Sequence, residues 1–353
     1  MPVTYMPGWG GGVANASQLP VQVTSDVALA IPGMGRGVGL ITGLISQMRL
    51  DKVDGAGRVL PRPRFFAKPQ PDKGLTRPWF VSAQVQDYLI HGNAIHLVTV
   101  RGDHGEPLAA QHIPAAWVTV TWTPAGITYW AQGQQLPAAD VVHARRGADS
   151  RFPWRGVGVV EQHLATMGRL VTQDRYEENA YAGGVPTVVI TAPGTINEAQ
   201  AEKAADRWQD RFAQRKPAVV SAGTDVKPLA WSPNDAQMVE ARKLGRQDTA
   251  NMLNLDGSWL GAESTGLTYK NIASLFLGLL TQTIDPITAN IADAWAEDWA
   301  PDIPDGGVRF DRNDLLHSDM ETDIGWLKVA TDAGILTMDE ARAWVGLTPN
   351  GRE

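Results

Sequence analysis

An α+β fold of more than one structural unit is what this sequence predicts, on two observations. Short strand-like runs separated by Gly and Pro turns crowd the region up to about residue 150. Beyond it, two long amphipathic helical stretches bracket a β-α-β pattern. At 353 residues the chain is long enough to bury a sizeable core in each unit.

Residues 1–35, rich in Gly and Pro, read as a loose arm. "GVGLITGLISQMRL" (37–50) places Val38, Ile41, Leu44, Ile45 and Met48 on one helical face. Residues 51–78, broken by prolines and charges, read as a long loop or meander. A helix over "WFVSAQVQDYLIHG" ends at Gly92, and strands follow at "NAIHLVTVRG", "WVTVTWTP", "GITYWAQG" and "DVVHARR".

A helix spans about 156–182, with Val160, Leu164, Met167 and Val171 as its apolar stripe and a stop at "AGGVP". A β-α-β unit follows: a strand in "VPTVVITAPG", an amphipathic helix from Thr195 or Asn197, and return strands in "KPAVVSAG" and "VKPLAW". Helical pattern resumes over 232–255, started by Ser232 and Pro233. On that helix Met238, Ala241, Gly245, Met252 and Leu255 share a face, and Gly245 would let a neighbouring helix approach closely. Residues 256–270 read as an exposed loop, and 271–300 as a helix kinked by Pro286. "GGVRFDRNDLL" reads as a strand, followed by two short helices.

Enzyme signatures fail one by one. The glycines at 33, 35, 37 and 39 alternate, so no G-x-G-x-x-G window exists, and no G-x-x-x-x-G-K-[ST] loop occurs. The seven histidines show no metal-ligand spacing, so structural roles are expected for His91, His96 and His143. Zero cysteines exclude disulfides, thiolate metal sites and thiol nucleophiles. The pair Glu177–Glu178 reads as a solvated helix face. No catalytic residue, cofactor or metal is expected. The N-terminus lacks a signal-peptide pattern, and "IASLFLGLL" is too short to span a bilayer, so a soluble intracellular product with no membrane partner is expected. A net charge of −7 means that any nucleic-acid contact is local or weak.

Several segments, in order, resemble the bacteriophage portal (head–tail connector) family, in its shorter branch from long-tailed phages. They are "DYLIHGNAIHLVTVRGDHGEP" with its Gly92–Asn93 pair, "VVHARR" followed by "WRGVGVVE", "YEENAYAGGVPTVVITAPGTINEAQAEK", "AVVSAGTDVKPLAWSPNDAQMVEARKLGRQDTANML" and "MDEARAWVGLTP". The resemblance covers roughly residues 36–350. It implies a portal fold: a flexible arm (1–35), a wing (36–155, with the wing return and C-terminal helices at 301–353) and a two-helix stem (156–184 and 232–255). A β-α-β clip (185–231), a tunnel loop (256–270) and a kinked tunnel helix (271–300) complete it, with the crown short or absent.

The same resemblance implies a ring, a dodecamer in this family, at one capsid vertex. Its partners would be the large terminase, major capsid and scaffold protein, the head–tail adaptor, and the double-stranded DNA passing through. Such a protein would assemble in the host cytoplasm and reside in the virion. Terminase docking would fall on the clip helix at Asp206, Arg207, Asp210 and Arg211, an exposed charged stretch. The candidate channel residues are Arg242, Lys243 and Arg246, a basic arc that Glu240 and Asp248 partly pair, with Trp259, Glu263 and Lys270. The ionisable side chains from Ile272 to Pro301 are Asp285, Asp293, Glu297 and Asp298, all acidic, which suits a bore that must not grip phosphates. The competing classes are an oligomeric enzyme or nucleic-acid-processing factor, and another virion part such as a minor capsid or tail-hub protein.

Overall fold

A computed structural model describes residues 3–5, 22–147, 149–181, 188–191, 225–228, 232–262, 269–303, 305–315, 320–345 and 347, with isolated positions between 199 and 206. Helix α1 (Ser25–Ala30) is capped by Thr24, whose hydroxyl accepts from Val27 N–H, and α2 (Pro32–Gln47) starts on a proline. The loose-arm reading of 1–35 therefore fails over its last eleven residues. Ala28, Ile31 and Met34 are buried there, because they extend the apolar stripe of α2. Residues Val3–Tyr5 form β1, which pairs with a strand more than a hundred residues later.

The proline-rich stretch read as a meander also contains a strand. β2 (Arg49–Val53) pairs antiparallel with a strand near residue 310. Its sequence, RLDKV, hides the usual alternation, because Asp51 and Lys52 are buried as ion pairs. Arg49 Nε donates to Asp51 Oδ1 at 2.9 Å, and Lys52 Nζ to Asp302 Oδ1 at 2.6 Å. The short α3 (Arg64–Ala67) and α4 (Arg77–Ile90), capped by Thr76, lead into the sheets.

Two antiparallel sheets follow. One is three-stranded in the order β4 (Pro107–Ile113), β3 (Asn93–Arg101), β8 (Val141–Arg145). The other is four-stranded: β1, β5 (Val118–Thr123), β6 (Gly126–Ala131), β7 (Gln134–Leu136). Strand β3 divides two cores, because successive side chains point to opposite faces. Ala94 and Val98 join the large core with α2 and α4, whereas Ile95 joins Val118, Val120, Tyr129, Val141 and Trp154 in a smaller one.

The helix expected over 156–182 is present as two pieces, α5 (Val159–Gln162) and α6 (Leu164–Tyr181), broken at His163. β9 (Val188–Thr191) and β10 (Asp225–Pro228) pair antiparallel; the strand expected in "KPAVVSAG" and most of the helix before it lie outside the described residues. Helix α7 runs from Ser232 to Met252. The helix expected over 271–300 is α8 (Tyr269–Leu279), a π-helical turn at Leu280–Ile284, and α9 (Asp285–Trp299). Pro286 sits in the first turn of α9, where it has the least effect on backbone bonding, and the widened turn precedes it. β11 (Gly307–Asp311), α10 (Met320–Asp332) and α11 (Met338–Trp344) close the described chain.

Candidate channel and docking surfaces

The sequence offers two long helices, and the structure pairs them antiparallel. Three contacts descend α7 as they climb α6: Arg169 with Asp248 at 2.5 Å, Leu170 with Gly245, and Glu177 with Arg242 at 2.5 Å. A β-carbon at Gly245 would stand 2.9 Å from Leu170 Cδ2, so the expected close approach is present. Glu177 corrects the solvated-face reading. It is only 2 % exposed and accepts from Arg242 Nε and Gln173 Nε2, while Glu178 stays exposed. The signal was available, since Glu177 lies seven residues after Leu170 and ten after Met167, on the buried stripe.

The basic arc on α7 is engaged with the chain itself. Arg242 holds Glu177, Lys243 lies 3.9 Å from Glu240, and Arg246 donates to the carbonyl of Gly261 at 3.2 Å. Asp248, the other expected partner, pairs with Arg169 instead.

Residues 256–262 do not form the expected exposed loop. Asp256 accepts from Ser258 N–H and Oγ and starts a 3₁₀ turn, Gly257–Leu260, in which Leu260 is buried. Trp259 is half-buried, with its ring edge-on to Phe276 at 6.4 Å. Gly257 and Leu260, one 3₁₀ turn apart, are both buried, so this stretch turns inward despite its Gly and Ser content. Glu263 lies outside the described residues, and Lys270 falls within α8. The end of α7 is tied to the π turn. Thr283 Oγ1 donates to Asn254 O at 2.5 Å, and Asn254 Nδ2 to Gln282 O at 2.8 Å.

Two of the four acids on this segment are neutralised within the chain. Asp285 accepts from Arg312 at 2.9 Å and Asp298 from Arg101 at 2.8 Å, leaving Asp293 and Glu297 exposed. The opposite face of α9 is deeply buried: Trp295 and Trp299 stack at 4.5 Å.

Trp299 also starts a hydrogen-bond chain that periodicity alone does not reveal. Its Nε1–H donates to His96 Nε2 at 3.0 Å, which assigns the proton of His96 to Nδ1, facing Gln84 Oε1 at 3.3 Å. Gln84 Nε2 donates to Ile95 O at 2.9 Å and reaches His112 Nδ1 at 2.6 Å. His112 Nε2 then faces Asp87, whose Oδ2 accepts from Ala115 N–H. Burial pushes His96 down to about 3, His112 down to about 4 and Asp87 up to about 7, so uncharged forms dominate this chain between about pH 4 and 7. His143, pushed down to about 3 by burial and the nearby Arg145, donates its Nε2–H to Asn93 Oδ1 at 2.9 Å. The structural reading of His96 and His143 agrees with these bonds.

Two segments quoted separately in the sequence meet at one joint. Gly92, with φ +75°, carries its carbonyl to Arg146 N–H at 2.8 Å. Asn93 Oδ1 accepts from Gly156 N–H at 2.8 Å. A β-carbon at Gly156 would lie 1.9 Å from Gly92 O, and one at Gly158 would lie 2.0 Å from Ile90 O. The backbone leading into α5 and α6 is thus seated on the α4–β3 corner. Arg155, 3 % exposed, locks it by gripping Glu161 at 2.6 and 2.8 Å and Asp149 at 3.2 Å. On the docking side, Asp206 is exposed and helical, while Arg207, Asp210 and Arg211 lie outside the described residues.

A profile of the phage portal protein family matches residues 35–346. Among curated proteins, a "Probable portal protein" of Streptomyces phage phiC31 is 21 % identical over 380 residues, covering 96 % of this chain and 79 % of that one. An uncharacterised Rickettsia felis protein is 24 % identical over 168 residues, 46 % of this chain and 43 % of the relative's length. Among solved structures, an HK97-family phage portal protein from Corynebacterium diphtheriae superposes with a TM-score of 0.61 at 18 % identity, over 82 % of this chain and 95 % of that one. A chain in the virion of a native gene transfer agent particle gives 0.65 at 17 % identity, over 99 % and 96 %. Another, from the neck of a native gene transfer agent particle computed with C12 symmetry, gives 0.64 at 17 % identity, again over 99 % and 96 %. With the profile running over nearly its whole length, and with the mixed helix-and-sheet fold shared by these structures, the chain belongs to the phage portal protein family.

Proposed function

We propose that this portal protein acts as the ring subunit of the DNA channel at one capsid vertex, a structural and not a catalytic component. DNA would be packaged and ejected through the ring, with the large terminase docked first and the head–tail adaptor later. Capsid and scaffold protein would surround it, in a particle assembled in the host cytoplasm. The observation that carries this reading is the antiparallel α6–α7 pair, rooted at the glycine joint and reaching out to the β9–β10 pair. Such a pair is a natural strut between a broad β-rich body (36–155 with 301–353, the wing) and a distal clip (185–231). Helices 156–184 and 232–255 would be the stem, 256–270 the tunnel loop and 271–300 the tunnel helix. A C12 neck in a structural neighbour supports a twelve-subunit ring here. Asp206, Arg207, Asp210 and Arg211 would meet the terminase, and Arg242, Lys243, Arg246, Trp259, Glu263 and Lys270 would lie toward the channel. Native mass spectrometry and negative-stain imaging of the purified chain, alone and with capsid and scaffold protein, test the reading. Rings with a central hole are expected; only stable dimers under every condition would refute it.

A further inference from the structure

Residues 61–77 carry Arg62, Arg64, Lys68, Lys73 and Arg77 against one acid, Asp72, a local charge of +4 in a chain of net charge −7. The stretch is held firmly from below. Phe65 and Phe66 are buried, both edge-on to Trp299 at 4.4 and 5.2 Å, and Pro69 O accepts from Ala110 N–H at 2.9 Å. Gln70, also buried, accepts from His112 N–H and donates to Asp72 Oδ2 at 3.0 Å, which occupies the strip's own acid. Four prolines, at 61, 63, 69 and 71, restrict the backbone further.

Above this anchor Arg62, Arg64, Lys68 and Lys73 all project exposed. Among the described residues no carboxylate forms an ion pair with any of the four, and only Arg62 makes a side-chain bond, to Phe66 O at 3.3 Å. By contrast, Arg49, Lys52, Arg58, Arg101, Arg155, Arg309 and Arg312 of the same body each pair with an acid.

We infer that this anchored strip is a binding site for the phosphodiester backbone of double-stranded DNA, on the wing segment and distinct from the candidate channel residues. A rigid backbone carrying unpaired cations loses little entropy when it meets a row of phosphates. The strip's two phenylalanines are buried and offer no apolar anchor to the side chains of an acidic peptide, whereas phosphate contacts need none. In a ring the strip would recur once per subunit, multiplying the contact around the wing.

The test is fluorescence anisotropy of a mixed-sequence duplex of about 25 base pairs against the purified full chain, across a salt series. Two variants are compared with the parent, Lys73→Gln alone and R64Q/K68Q/K73Q, since none of these side chains supports the fold. The salt slope should fall by roughly 0.9 for each cation removed, and affinity near 50 mM salt by about tenfold or more for the triple variant. A Lys243→Gln variant separates this site from the channel reading, because its loss of DNA binding would report on α7 alone. DNA binding equal to the parent's in both strip variants overturns the inference. So does loss of binding to polyglutamate with DNA binding intact, which would assign the strip to an acidic protein partner.

Discussion

Glu177 is a carboxylate that folding takes almost wholly out of water, and Arg242 compensates it from a side chain still 56 % exposed. The pair lies between a surface bridge, worth under about 1 kcal/mol, and a fully buried one, whose breakage costs about 3–5 kcal/mol. Arg242→Ala should therefore destabilise the chain by about 1–3 kcal/mol, and Glu177→Gln in the same background should recover part of it. Urea midpoints for the two single variants and the double variant check this; an additive cycle would mean that the pair carries no coupling. The histidines make a second prediction. Folded His96, His112 and His143 take up protons only near pH 3–4, whereas unfolded histidine does so near its ordinary value of 6.5. As pH falls below about 6.5 the unfolded chain binds the extra protons, so stability must drop. Asp87, raised to about 7, opposes this between pH 7 and 3.8, because there the folded state holds the proton. Three groups outweigh one, so urea midpoints should decline steadily from pH 6.5 to 4. His143→Gln, which keeps a donor for Asn93, should flatten that decline; an unchanged slope would mean His143 is protonated in the fold.

The glycine joint decides how two elements meet. Gly156→Ala drives a methyl group into the carbonyl of Gly92, and neither backbone can yield without breaking the bond from Gly156 N–H to Asn93. A cost above about 3 kcal/mol is expected, read as loss of soluble protein or a large fall in melting temperature. Gly245→Ala is the contrast. Its methyl meets only the flexible end of Leu170, and alanine is a better helix former by about 0.8–1 kcal/mol, so the variant should melt within a few degrees of the parent. What was legible in the sequence follows the same division. Helices with clean stripes, strands with alternation, and the close approach at Gly245 follow from local periodicity. β2 did not, because Asp51 and Lys52 break its alternation and are compensated by Arg49, which is local, and by Asp302, about 250 residues away. The inward turn of 256–262 was hidden for a similar reason: its polar composition is satisfied by one carboxylate, Asp256. The partners of the basic arc required tertiary structure, since Arg242 binds a carboxylate on another helix.

At the level of the whole molecule, the charge distribution separates two kinds of cation. Most arginines near the proposed channel are already committed to the chain: Arg101 and Arg312 cover acids of α9, Arg169 and Arg242 bridge α6 and α7, and Arg246 holds Gly261. Replacing Arg242 and Arg246 would weaken the fold and DNA contact together, so it cannot tell the two apart. Lys243 can, because its contact with Glu240 is a loose 3.9 Å approach that stays within one turn of α7. If α7 touches sliding DNA, Lys243→Gln should leave melting temperature and ring formation unchanged yet increase loss of packaged DNA from purified particles. The loss should be greatest at low external salt, where the packaged DNA repels itself most strongly and a weak phosphate contact is least screened. Parallel DNA-retention curves for variant and parent across the salt range would show that Lys243 is only part of a solvated helix surface, and would move the search for channel contacts to residues 263–270.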